Sequence, residues 1–120
     1  MTIEELYARL GANYEEAKTR LMNDALIRRF LLKFADTFSL DSLLCAAKEN
    51  DAKGVFEAAH SLKGVAGNLA LAELYALSSS LTEKVRGMPE GAKVDVASEV
   101  QGIQSEFERT VSLIREAFNG

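Results

Sequence analysis

The stretch from Val96 to Phe118, VASEVQGIQSEFERTVSLIREAF, spaces Val96, Val100, Ile103, Phe107, Val111, Ile114 and Phe118 by fours and threes. An α-helix turns by about 100° per residue, so this spacing lines the apolar side chains along one face. A strand, alternating every second residue, does not produce the pattern; a helix packed into a bundle or coiled coil does. The final helix therefore predicts a helical core, with dimerisation through the same seam as the other use of such a stripe.

Working backwards, the only long punctuated loop is Gly87-Met88-Pro89-Glu90-Gly91, which holds the sole proline. Before it, Leu71, Leu74, Leu77, Leu81 and Val85 trace another stripe, beginning after a break near Asn68 and Ala70. Asp51 opens the preceding helix. Ser39 is expected to cap a helix carrying Leu40, Leu43, Leu44 and Ala47. Asp24 is expected to cap one that runs to about Phe38 with Ile27, Phe30, Leu31, Phe34 and Phe38 as its stripe. At the start, Thr2 and Glu5 have the spacing of a capping box, Gly11 closes that short helix, and Asn13 with Glu16 repeats the start signature. Striped helices joined by short connections predict an all-α fold: an antiparallel four-helix bundle with one or two short extra N-terminal helices. No internal repeat or linker interrupts it, and 120 residues suffice for one core, so 1–120 reads as a single domain.

Composition narrows the function. With 48% hydrophobic and 27% charged residues, the chain is an ordinary globular one rather than a disordered one. A net charge of −4 with no basic cluster argues against nucleic acid as a partner. Cys45 is the sole cysteine, which excludes an internal disulfide and a thiolate metal cluster. It is expected to be small, partly buried and without a redox role. The start Met-Thr-Ile-Glu-Glu lacks the basic flank and apolar run of a signal peptide, and no apolar stretch has the ~18 residues of a membrane span. A cytoplasmic, monomeric protein with no membrane partner is expected. Met1 and the end at Gly120 read as those of a free-standing chain.

The only histidine, His60, lies in the run Ala59-His60-Ser61-Leu62-Lys63-Gly64-Val65-Ala66-Gly67. On a helical wheel with Val55 at zero, Ala58, Ala59, Leu62, Val65, Ala66 and Leu69 fall within about 80° of it, a single apolar face. His60 falls at about 140°, Lys63 at about 80°, Gly67 at about 120° and Gly64 at about 180°. Glu57 points outward and Phe56 sits at the boundary, a rim or core residue whose partial exposure would also suit a docking patch. Each interior glycine costs a helix roughly 0.5–1 kcal/mol relative to alanine. What glycine supplies is a side bare of Cβ atoms, where another protein's backbone can approach His60.

Phosphoryl transfer suits such a strip. A neutral imidazole is a competent nucleophile near pH 7 and needs no separate base. Lys63 offers an ammonium to balance charge on incoming phosphoryl oxygens. No glycine-rich nucleotide loop and no carboxylate cluster suited to magnesium is present, so no cofactor or metal is expected. The chain should then accept and donate a phosphoryl group without ATP-dependent kinase activity of its own.

The run from Ala59 to Leu69, with His60, Leu62, Lys63 and Gly64 in order, closely resembles the signature of histidine-containing phosphotransfer (HPt) domains. The resemblance extends over the whole chain. It implies a four-helix bundle whose exposed histidine relays phosphate between receiver-domain aspartates. His60 would be the phosphorylated residue, Lys63 would support the phosphoryl group, Gly64 would leave room for the receiver, and Gly67 matches a small position farther along. The partners implied are response-regulator receivers and a hybrid sensor histidine kinase, with the receiver supplying aspartate and magnesium. One departure is Ala70, where many members have glycine after the leucine. The dimerisation helix of sensor kinases is a poorer match, since Ser61 follows the histidine and no proline comes before Pro89. Two other readings remain: the phosphoacceptor domain of a chemotaxis-type kinase, which has a similar His-Ser-(Ile/Leu)-Lys-Gly run, and a helical adaptor whose histidine is incidental.

Overall fold

Residues 1–119 are described by the computed structural model, in which seven helices follow one another. They are α1 (Ile3–Leu10), α2 (Tyr14–Leu21), α3 (Asp24–Thr37), α4 (Asp41–Lys48), α5 (Ala52–Asn68), α6 (Ala72–Val85) and α7 (Ala97–Asn119). Gly120, read above as a chain end, lies outside the described residues. The helical-bundle expectation holds, but the short helices number three: α4 joins α1 and α2, and it is not N-terminal. Among the described residues the only β pairing is one isolated bridge, Asp51 with Lys93. No helix among them is long and apolar enough to cross a membrane.

The helix ends follow local chemistry. Thr2 and Glu5 form the full capping box, and Gly11 closes α1 in the left-handed region at φ 67°. Asn13 accepts from the Glu16 amide at 3.0 Å, but the reciprocal half is missing because the Glu16 carboxylate turns to Arg20 Nε at 3.1 Å. The α3 cap is Asn23, which accepts from the Leu26 amide, while Asp24 occupies the first turn. Asp24 instead accepts from the Tyr14 hydroxyl at 2.7 Å. The cap position of α4 is Leu40; the Ser39 hydroxyl accepts from the Asp41 amide one residue earlier than expected.

The stripes bury as their periods require. Val96, Val100, Ile103 and Ile114 are buried, and Phe107, Val111 and Phe118 pack half-buried on the core. Leu71, Leu74, Leu81 and Val85 are buried, joined by Ser78 and Thr82, whose hydroxyls donate to the Leu74 and Ser78 carbonyls at 2.8 and 2.7 Å. That internal bond lets a polar residue sit in the core without an unmet donor. On α3, Ile27, Leu31 and Phe34 are buried, whereas Phe30, about 60° from Ile27 on the wheel, is on the edge of the stripe and exposed. Cys45 is exposed rather than partly buried.

Arginines of α7 tie the bundle together. Arg109 donates to the Arg9 and Leu10 carbonyls at the end of α1, and Arg115 to Asp36 and the Ala35 carbonyl near the end of α3. Guanidinium groups at helix C-termini meet both unpaired carbonyls and the negative end of the dipole. The 86–96 connection is pinned to the start of α5 by Val94 N–H to the Asn50 carbonyl and Ala52 N–H to the Ala92 carbonyl. Lys84 and Glu99 pair α6 with α7.

The hairpin of α5 and α6 carries the site. Gly67 of α5 faces Tyr75 near the start of α6, while Phe56 near the start of α5 meets Arg86 at the end of α6. Contacts that run in opposite order make the pair antiparallel, as a three-residue connection demands. Ala52, Ala59 and Ala66 are fully buried, so small side chains let α5 lie close to its neighbours. The approach to α4 is tight at Gly54, where a Cβ would lie 2.9 Å from Ala46 Cβ.

Candidate functional site

His60 stands in the middle of α5 with its side chain exposed. The buried face of that helix is Ala52, Val55, Ala59, Leu62 and Ala66, with Leu69 just past its end. Ala58 and Val65 are half-buried at its margins. The wheel therefore holds, and the imidazole reaches solvent because it lies opposite the packed stripe.

Gly64, one turn beyond His60, is exposed, and a Cβ built there would meet nothing within 4 Å. Gly67 differs. A Cβ there would lie 3.3 Å from Tyr75 Cε2, so α6 covers this glycine and it is no part of an open strip. The wheel put Gly67 on the His60 side but carried no information about a neighbouring helix filling that space. Lys63 is half-buried and leans toward α6, its ammonium 6.0 Å from the Tyr75 ring centroid. Glu57 is exposed and lines a groove between α4 and α5.

Phe56 is half-buried and stacks on His60 with ring centroids 5.7 Å apart and planes 4° apart. Over the same phenyl ring lies the Arg86 guanidinium, 5.4 Å from its centroid. Arg86 is in turn forked onto Glu83, with Nε 3.0 Å from both carboxylate oxygens and Nη2 2.9 Å from Oε1. The Arg86 hydrogen bonds, and more weakly the Lys63 charge, hold the Glu83 carboxyl below the usual carboxylate range.

The family model for the Hpt domain matches residues 15–117. The chain belongs to that family. No curated protein and no solved structure gave a match. Hpt domains act generally in histidine phosphotransfer within phosphorelays, where they interact with receiver domains, and that is the general role of this chain.

The match begins after α1, yet Leu6, Tyr7 and Leu10 of α1 are buried in the shared core and the Tyr7 hydroxyl donates to the Leu69 carbonyl at 2.7 Å. That bond sits at the end of the histidine helix, where Ala70 adopts φ 54°. The left-handed turn for which many family members use glycine is thus made here by alanine, at a steric cost of roughly 1–2 kcal/mol. Beyond the residues expected from sequence, the Hpt domain places Tyr75, Glu83 and Arg86 beside the histidine helix. They fall within about 80° of one another on α6, a second stripe beside its leucines. That periodic signal was present in the sequence, but nothing in it said which helix the stripe would face.

Proposed function

We propose that the chain is a phosphorelay intermediate in which His60 accepts a phosphoryl group from a receiver aspartate and passes it to another receiver. The observation that carries this reading is the exposed imidazole at mid-helix with open space above Gly64 one turn away. A ring nitrogen lone pair attacks phosphorus, the aspartyl O–P bond breaks, and its electron pair leaves with the carboxylate. The N–H stays on the other ring nitrogen. Lys63, one turn from His60 on a flexible stem, swings from Tyr75 to balance charge on the phosphoryl oxygens. Gly64 gives the receiver room, with Phe56 and Glu57 at the edge of the contact; the receiver brings the aspartate and magnesium. The chain has no ATP-dependent kinase activity in this reading, works as a cytoplasmic monomer forming a single domain, and takes its phosphate from a receiver, including one fused to a hybrid sensor kinase.

The test is incubation with a phosphorylated receiver and magnesium. Label that survives alkali, is lost in acid and is absent from His60→Gln supports the relay. No label with any of several receivers favours a helical adaptor, and direct labelling by a kinase ATP-binding domain favours a chemotaxis-type phosphoacceptor. Elution of the purified chain as a dimer would overturn the monomer.

A further inference from the structure

We infer that Phe56 is a positioning residue for the His60 imidazole, with the Glu83–Arg86 pair as its support. This rests on the phosphocarrier reading above. Among the described residues no hydrogen bond reaches either ring nitrogen of His60, so nothing polar sets the ring's orientation. The second side-chain torsion of histidine is broad, and an unsupported ring on a helix surface samples many orientations. Helical side chains lean toward the N-terminus, which brings His60 back over the residue four positions earlier. That residue is Phe56, and the rings lie 4° from parallel at 5.7 Å. Rings this far apart and this nearly parallel are offset-stacked, an arrangement that leaves the ring nitrogens at the imidazole edge, in the plane in which the lone pair lies.

A stack orients a ring only if its lower member is itself held. Phe56 has one side in the packed hairpin and the Arg86 guanidinium over its ring, an arrangement favoured by the negative face of the aromatic quadrupole. Arg86 is tethered in turn at the surface by a planar fork onto Glu83 through three close N–O contacts. The Glu83 carboxyl, held below its usual range by that pairing, stays ionised across the physiological span. The support thus runs in sequence, from the ion pair at the end of α6 to the Phe56 ring and from that ring to the imidazole. In-line attack on a phosphorus fixed in a docked receiver needs the lone pair aimed along one direction, and the stack supplies that aim before the receiver arrives.

The test compares Phe56→Leu, which keeps apolar bulk, with Phe56→Tyr, which keeps the ring. Two readouts are used: the imidazole carbon-bound proton shifts by NMR, and the rate of His60 phosphorylation by a phospho-receiver divided by the rate with phosphoramidate. Phosphoramidate is small and meets the ring from any direction. In Phe56→Leu the ring-current shift of the His60 protons disappears and the rate ratio falls about tenfold, since misorientation penalises only the docked reaction. Phe56→Tyr restores both. Arg86→Gln, which leaves α5 untouched, weakens the ring-current shift and carries the test if Phe56→Leu does not fold. An unchanged ratio in Phe56→Leu, or a loss in Phe56→Tyr as large as in Phe56→Leu, overturns the inference; the latter would make residue 56 a receiver contact only. If the wild-type chain takes phosphate from no receiver, the phosphocarrier reading fails, whereas a wild-type spectrum without any ring-current shift refutes the stack itself.

Discussion

Gly64 separates folding from function more sharply than any other position. A helix-interior glycine is about 1 kcal/mol less favourable than alanine, and a new methyl here gains no contact and meets no clash because nothing lies within 4 Å. The expected gain for Gly64→Ala is therefore the propensity difference alone, about 1 kcal/mol. With an unfolding entropy of about 2.1 cal/mol/K per residue, the 120 residues turn this into a rise of about 4 °C in Tm. Gly102, in α7, also has open space where its Cβ would go, so Gly102→Ala should raise Tm by the same amount. The two positions part at transfer. Gly64→Gln places a long side chain where the receiver is proposed to dock, and overpacking of about 1–3 kcal/mol corresponds to a kcat/KM for receiver-driven phosphorylation lowered about 5- to 150-fold. Gly102→Ala should transfer at the wild-type rate. Calorimetry and single-turnover label transfer measure the two quantities. A Gly64→Gln protein that folds and transfers at the wild-type rate would refute the docking argument, and a lower Tm for Gly64→Ala would refute the open space itself.

At Gly54 the opposite sign is expected: a Cβ would lie 2.8 Å from Asp51 Oδ2 and 2.9 Å from Ala46 Cβ, so Gly54→Ala must push α4 from α5 and lose about 1–3 kcal/mol in urea denaturation. Tyr7→Phe leaves the buried Leu69 carbonyl without its phenolic donor and should lower stability by about 1–3 kcal/mol, seen as a lower urea midpoint at constant slope. Lys63→Ala should leave helical content by circular dichroism intact and shorten the phosphohistidine lifetime; an unchanged rate and lifetime would make that lysine a bystander. Stability should also fall in alkali. The hydrogen bond to Asp24 pushes the Tyr14 phenol from 10.0 up to about 12, and burial pushes Tyr7 up as well. Both groups bind their protons more tightly folded than unfolded, so their contribution is complete below about pH 10; the Tyr14 share drains away as pH rises through about 12 and the Tyr7 share at higher pH still. Equal urea midpoints at pH 8 and 11.5 would contradict it.

Periodicity made the fold legible because each helix must bury a face whatever its partner is. The stripe of α7 and the wheel of α5 needed no tertiary knowledge: Val96, Val100, Ile103 and Ile114 are buried with Phe107, Val111 and Phe118 half-buried beside them, and of the predicted α5 face only Ala58 and Val65, at its margins, are half-buried. Caps were less legible. Asn23 and Asp24 are adjacent residues that can both cap, and the choice between them falls to tertiary chemistry, since Asp24 is engaged by the Tyr14 hydroxyl. Ser78, Thr82 and Thr110 were hidden for another reason: a hydroxyl that donates to its own helix carbonyl behaves as a small core residue, which polarity alone does not reveal.

The site divides along the same physical line. His60, Lys63 and Gly64 share one helix, so a rotation per residue suffices to group them. What a wheel cannot hold is the space beyond the helix surface. Gly64 and Gly67 differ by only about 60° on it, yet one faces solvent and the other faces the Tyr75 ring. The same gap conceals Arg86, whose distance from His60 along the chain says nothing about its place over the Phe56 ring. That placement depends on the antiparallel pairing of α5 with α6, which Ala70 sets by turning the chain in the left-handed region. A residue that performs no chemistry thus determines which side chains of α6 and its end come beside Phe56 and Lys63. Lengthening the 69–71 turn by one residue should rotate the Glu83–Arg86 pair away from Phe56 while leaving His60 exposed. Receiver-driven transfer would then fall more than the phosphoramidate reaction, and an unchanged ratio between the two would show that α6 takes no part in orienting the ring.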